Sequence, residues 1–128
     1  MIILRSPHDL QRVTTPALQV FLRQRFRAIC EPEPYDPDEH GFFIVLEPGD
    51  TSEHIETATG YAPLKSLFSD AHYGDPEFMP DFEYLEDHGE FFEAVYIVND
   101  GGFAVVLIVP KLQGIDEAIL AMCTEFSE

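Results

Sequence analysis

Tryptophan is absent, cysteine and lysine occur only twice each, and no apolar run approaches the roughly 18 residues that a bilayer-spanning helix needs. Each shortage excludes something. Two cysteines are too few for the disulfide framework of a small secreted scaffold. Cys30 and Cys123 each fall near the end of a helical apolar stripe, beside Ile29 or Met122, so buried reduced thiols are expected. The opening MIIL is too short for a signal-peptide core and is broken at once by Arg5 and Pro7, which favours a cytoplasmic protein that makes no membrane contact. Also missing are a Gly-x-Ser-x-Gly elbow, a phosphate-cradling glycine loop ahead of a helix, and any Cys–His pair at metal-ligand or nucleophile spacing. The expectation is therefore a non-enzyme with no catalytic residue, no metal and no cofactor.

Positive charge is the scarcest resource, and it is unevenly placed. Residues 1–30 hold five Arg and one acid, about +4, whereas residues 31–128 hold two Lys and 23 acids, about −21, which sums to the net −17. Such an excess repels phosphates and membrane surfaces, so direct nucleic-acid binding is not expected, and it speeds encounter with cationic partners. Disorder does not follow from the charge. Apolar residues make up 45% of the 128, with eleven Phe and five Tyr, enough to offset chain entropy in one folded domain spanning residues 1–128.

Thr15-Pro16 is a helix start, a capping hydroxyl followed by proline where its missing N–H is harmless. The spacing of Leu18, Phe21, Leu22, Phe26 and Ile29 predicts a core-facing helix over about 16–30, with Arg23 and Arg27 on its outer face. Pro32, Pro34 and Pro37 end it, and the β-branched run Phe42 to Leu46 predicts a strand. Short helices are expected within about 51–69, the first capped by Asp50 with Glu53, and a short edge strand at 82–85. The clearest local signal is a hairpin over about 91–109, in which the turn Asn99-Asp100-Gly101-Gly102 joins two apolar strands that belong in the middle of a sheet. Ile115, Ala118, Ile119, Met122, Cys123 and Phe126 predict a closing helix over about 116–126, with Asp116 as cap and Ile115 stapled to Leu120. MIIL adds an edge strand. The fold class is α+β, a small, mainly antiparallel sheet packed with helices.

Candidate sites are weak individually. Asp36, Asp38, Gly41 and Glu47 match positions of a calcium loop, but His40 is a poor hard-cation ligand and the following residues form an apolar strand, so a turn feeding a strand is the better account. The histidines His8, His40, His54, His72 and His88 lack an i, i+4 partner histidine and are expected to be solvated in an acidic field. Carboxylate pairs such as Glu86 or Asp87 with Glu90 arise by chance among 24 acids. The segment 70–93 carries nine acids and no Lys or Arg. There Phe78, Phe82 and Tyr84 stand amid Asp75, Glu77, Asp81, Glu83, Glu86 and Asp87, aromatics with a charged rim of the kind that protein hot spots use.

These residues are expected to form the partner-binding surface of an acidic protein–protein interaction module that docks on a basic protein surface. The partner class includes nucleic-acid-handling proteins, which makes the module an inhibitor, an immunity-type protein or a nucleic-acid mimic. The rivals are a hydrolase-like enzyme using His72 and Asp75, and a structural homodimer in which the arginine face of one copy meets the acidic surface of another.

Overall fold

The computed structural model describes residues 1–30, 41–51, 54, 83–97 and 104–126, and the account below is confined to these. Five strands form one sheet: β1 (Ile2–Leu4), β2 (Gly41–Val45), β3 (Tyr84–Asp87), β4 (Phe91–Ile97) and β5 (Ala104–Pro110). Their spatial order is β1-β2-β5-β4-β3. Two helices flank them, α1 (Pro16–Cys30) and α2 (Glu117–Phe126), and a 3-10 helix, Pro7–Arg12, joins β1 to α1. The α+β class expected from the sequence is the one observed.

The hairpin sets the middle of the sheet. β4 and β5 pair antiparallel from Phe91 opposite Pro110 to Ile97 opposite Ala104, and the turn at 99–102 lies outside the described residues. β5 is hydrogen-bonded on its other side to β2, in parallel, with Gly41 opposite Ala104 and Val45 opposite Ile108. That single parallel ladder makes the sheet mixed, since β1–β2 and β3–β4 are antiparallel. A parallel neighbour cannot be reached by a tight turn, and the long stretch of chain between β2 and β5 supplies the crossover. Gly41 sits at φ +103°, where a Cβ would meet the Ala104 carbonyl oxygen, so the ladder starts at a residue that only glycine fits.

Both faces of the sheet are apolar because both are covered. On one face Phe42, Ile44, Phe92, Ala94, Val105, Leu107 and Val109 pack with Ile115, Ile119, Met122 and Cys123 of the α2 region. On the other, Leu4, Phe43, Val45, Phe91 and Ile108 pack with Leu18, Leu22 and Phe26 of α1 and with Leu10 and Val13 at the end of the 3-10 segment. Full burial of side chains this large is worth about 1.5–3 kcal/mol each, which is what holds three layers together in so short a chain. Asp116 caps α2 as its position suggested, its Oδ1 accepting from the N–H groups of Ala118 at 2.9 Å and Ile119 at 3.2 Å. Ile115 and Leu120 join the same cluster, as a staple requires.

Three expectations need correction or bounding. The edge strand lies at Tyr84–Asp87 rather than 82–85, because its pairing with β4 places Glu86 opposite Glu93. Asp50 Oδ2 accepts from the Glu47 N–H at 2.8 Å and Thr51 Oγ1 from the His54 N–H at 3.4 Å, while the Glu53 half of the expected cap lies outside the described residues. The rest of the expected helices at 51–69 falls outside the described residues, as do most of the acidic segment and the first five positions of the calcium-like pattern. The pattern's apolar half is strand β2.

Candidate functional site

The unusual position in the sheet is Glu93. Strand alternation sends Phe92 and Ala94 toward α2 and sends Phe91 and Glu93 toward α1. Glu93 stands in the ladder between Glu86 of β3 and Ile108 of β5, and it is only 1% exposed. A carboxylate there is costly unless it is paired and hydrogen-bonded, and three side chains do this. Arg25 Nη2 donates to Glu93 Oε1 at 2.9 Å, and His88 Nε2 lies 3.0 Å from the same oxygen. The Tyr84 hydroxyl also hydrogen-bonds the Glu93 carboxylate.

Each partner is placed by a different element. Arg25 reaches down from the flank of α1, its guanidinium 4.9 Å above the Phe21 ring and its Nε buried without an acceptor. His88 follows the last residue of β3, and its N–H donates to the Phe91 carbonyl at 2.9 Å across the turn. Its ring packs against both Phe21, at 4.9 Å between centroids and tilted, and Phe91, at 5.1 Å and stacked at 28°, and the two phenyl rings touch each other edge-on at 5.0 Å. The aromatic pair fixes the imidazole so that Nε2 points at Glu93 and stands 3.7 Å from Glu86 Oε2. Tyr84, on the same sheet face as Glu86, is held above its ordinary pKa by burial and then by the Glu93 charge.

Beside this buried knot lies an exposed acidic rim. Glu83, Glu86, Asp87 and Glu90 are all exposed along β3 and the turn after it. Asp87 is neutralised: Lys111 Nζ lies 2.7 Å from its Oδ1, and that ammonium together with the Gly89 N–H holds the carboxyl below its ordinary pKa. The arginines are occupied elsewhere or point away. Arg5 lies over the Phe42 ring, Arg12 donates to the Ile3 carbonyl, Arg25 serves Glu93, and Arg23 and Arg27 are exposed on the outer face of α1. Among the described residues, no guanidinium or ammonium meets Glu83, Glu86 or Glu90. Next to Glu90 opens a cleft of about 460 Å³ between the start of α1 and the end of β5, lined on its apolar side by Leu18, Phe91, Pro110 and Leu112. Leu112 is 52% exposed.

Of the nine residues expected to bind a partner, Glu83, Tyr84, Glu86 and Asp87 fall in the described part, the last three on β3 and Glu83 immediately before it. Asp75, Glu77, Phe78, Asp81 and Phe82 lie outside it, as do His72 and Asp75 of the enzyme reading. Tyr84 is half-buried and engaged with Glu93 rather than free as an outward aromatic. His88 is not a solvated histidine but packs against the contacting rings of Phe21 and Phe91. Of the carboxylates considered for pairing with Glu90, Glu86 stands opposite Glu93 and Asp87 is engaged by Lys111.

Arg25 and Glu93 went unnoticed in the sequence. For Glu93 a signal existed: one acid interrupts the apolar run FFEAVYIV, and a charge in a strand buried on both faces has to be paired. No local pattern marks Arg25, because its partner is far along the chain. No family model, curated protein or solved structure matches this chain.

Proposed function

We propose that the protein is an acidic interaction module whose β3 edge receives a cationic surface of a partner protein. The observation that carries this reading is the row of carboxylates Glu83, Glu86 and Glu90, just before β3, on it and in the turn after it, which no guanidinium or ammonium of the described residues meets, while the described arginines are engaged or displayed on α1. The remaining chain deepens the same field, given a net charge of −17. Of the carboxylates near 31–56, Glu47 and Asp50 lie beside the Met1 amine at the opposite edge of the sheet and are no part of this surface, and the others lie outside the described residues. The cleft beside Glu90 supplies the apolar component that charge alone lacks: a side chain of the partner seated against Leu18, Phe91 and Leu112 is desolvated while the rim supplies direction and rate.

A protein surface suits this geometry better than close imitation of a nucleic acid. Duplex DNA carries a charge every ~1.7 Å of axis, whereas same-face side chains on a strand recur every ~6.7 Å. The partner is therefore a basic protein, including those that handle nucleic acids, for which the module acts as an inhibitor or immunity-type protein.

Affinity capture with mass-spectrometric identification tests the reading when the wild type is run beside a triple variant, Glu83→Gln, Glu86→Gln and Glu90→Gln. A basic protein retained by the wild type at about 50 mM salt and released near 0.5 M, where screening is severe, is the expected result. The triple variant should retain much less of it. Capture indifferent to salt, or equal in the variant, would refute the acidic edge as the binding surface.

A further inference from the structure

We propose that Glu86, His88 and Glu93 form a site for a divalent transition-metal ion of the zinc class. This goes beyond partner binding and rests on a different observation, the convergence of three ligand-type atoms from β3, its turn and β4. The cross-strand register brings Glu86 opposite Glu93, and His88 enters from the turn. One carboxylate oxygen from each glutamate and one imidazole nitrogen all lie within 4.8 Å of one another.

The spacing is that of a shared ion. Ligand atoms bound at about 2.1 Å to one centre stand no more than about 4.2 Å apart. His88 Nε2 is 3.0 Å from Glu93 Oε1 and 3.7 Å from Glu86 Oε2, both inside that limit. Glu86 is 52% exposed, so its carboxylate is free to turn the remaining fraction of an ångström. The other two ligands are already held. Glu93 is buried and tied by Arg25 and Tyr84, and His88 packs against the contacting Phe21 and Phe91 rings and donates its backbone N–H to the Phe91 carbonyl. A ligating carboxylate is ordinarily hydrogen-bonded by neighbours in this way, and such partners orient it toward the metal.

Charge also favours a dication. Two carboxylates and one guanidinium leave the cluster with a net charge of −1 when the imidazole is neutral, inside a chain of net −17. The donor set selects within the divalent ions. An imidazole nitrogen with two carboxylates suits zinc and its neighbours, whereas calcium and magnesium prefer all-oxygen surroundings. Three protein ligands leave a coordination position open toward solvent on the Glu86 side. Arg25 remains on Glu93 as an outer hydrogen-bond donor.

Isothermal titration of the whole protein with zinc chloride, in a background of millimolar calcium, tests the proposal alongside His88→Gln, Glu86→Gln and a His54→Gln control. The expected result is saturable binding of one zinc that calcium does not displace. Affinity should fall about 100-fold or more in the His88 and Glu86 variants, since even loss of an outer partner costs 10–100-fold, and it should be unchanged in the His54 variant. Circular dichroism of the Glu86 variant, altered only at an exposed side chain, guards against loss of fold. Failure of zinc to bind over calcium, or binding of unchanged affinity in His88→Gln, overturns the site. Because His88→Gln leaves the three rim carboxylates in place, its loss of zinc is distinguishable from any loss of partner capture.

Discussion

Glu93 and Asp50 show two ways in which single carboxylates serve a molecule with an excess of them. Glu93 occupies the α1 face of a central strand, where an apolar residue would satisfy packing. Its carboxylate instead links α1, β3 and the turn through Arg25, Tyr84 and His88. Buried pairs of this kind add little net stability over apolar packing, but loss of one partner is expensive.

Asp50 lies at the other end of the sheet, 2.7 Å from the Met1 amine. Burial works to raise its pKa, but hydrogen bonds from that amine and the Glu47 N–H, with the amine's charge, outweigh it and hold the carboxyl below its ordinary value. A depressed folded pKa means stabilisation that is complete above the unfolded value near 4 and is lost as pH falls through the folded one. Asp50→Asn should therefore be less stable than wild type by about 1–2 kcal/mol at neutral pH. Urea titrations should show the gap narrowing below about pH 4. A gap of equal size at pH 6 and at about pH 3 would assign the effect to geometry rather than to charge.

At the scale of elements, the helices are set by their ends and their stripes. α1 begins after Thr15, whose carbonyl accepts the Gln19 N–H at 3.0 Å, and it presents Leu18, Leu22 and Phe26 to the sheet. α2 is shorter and depends more on its cap. Asp116→Ala should cost about 1 kcal/mol, and Asp116→Asn much less, because the amide oxygen still accepts from the first turn. Thermal unfolding of the two variants checks this, and equal melting temperatures for alanine and wild type would show that the cap contributes nothing. The same helix buries Cys123, whose thiol is pushed up to about 12 by desolvation, so it stays protonated and inert in the folded state.

For the molecule as a whole, the balance is between a core covered on both sheet faces and a surface with too few cations. The five arginines do not neutralise the rim, and repulsion among the acids opposes compaction. Raising salt from about 20 mM to about 200 mM should then raise the melting temperature by a few degrees, since the screening length falls from about 20 Å to about 7 Å. A flat or falling melting temperature would mean that the acids are paired more completely than the described residues show. The same rim draws cations of two sizes in the readings above, a basic protein over the β3 edge and a metal ion in the knot beneath it.

Local order was largely readable before the fold was known. The α1 stripe, the Asp116 cap and the strands on either side of Asn99–Gly102 are properties of residues close together in the chain. Their physics, periodic burial, capping and chain stiffness, acts over a few residues. Hidden from any such pattern were the parallel pairing of β2 with β5, the turn of Asp50 back onto Glu47, and the meeting of Arg25 with Glu93, 68 positions apart. The sequence alone therefore settled α1, α2 and the strands β2, β4 and β5, which of their faces are apolar and how negative the chain is, whereas the Pro7–Arg12 3-10 helix and the bounds of β3 went unread. Only the tertiary structure decided which charges meet: contact between distant residues depends on strand order and helix placement, while charge count and periodicity are blind to both.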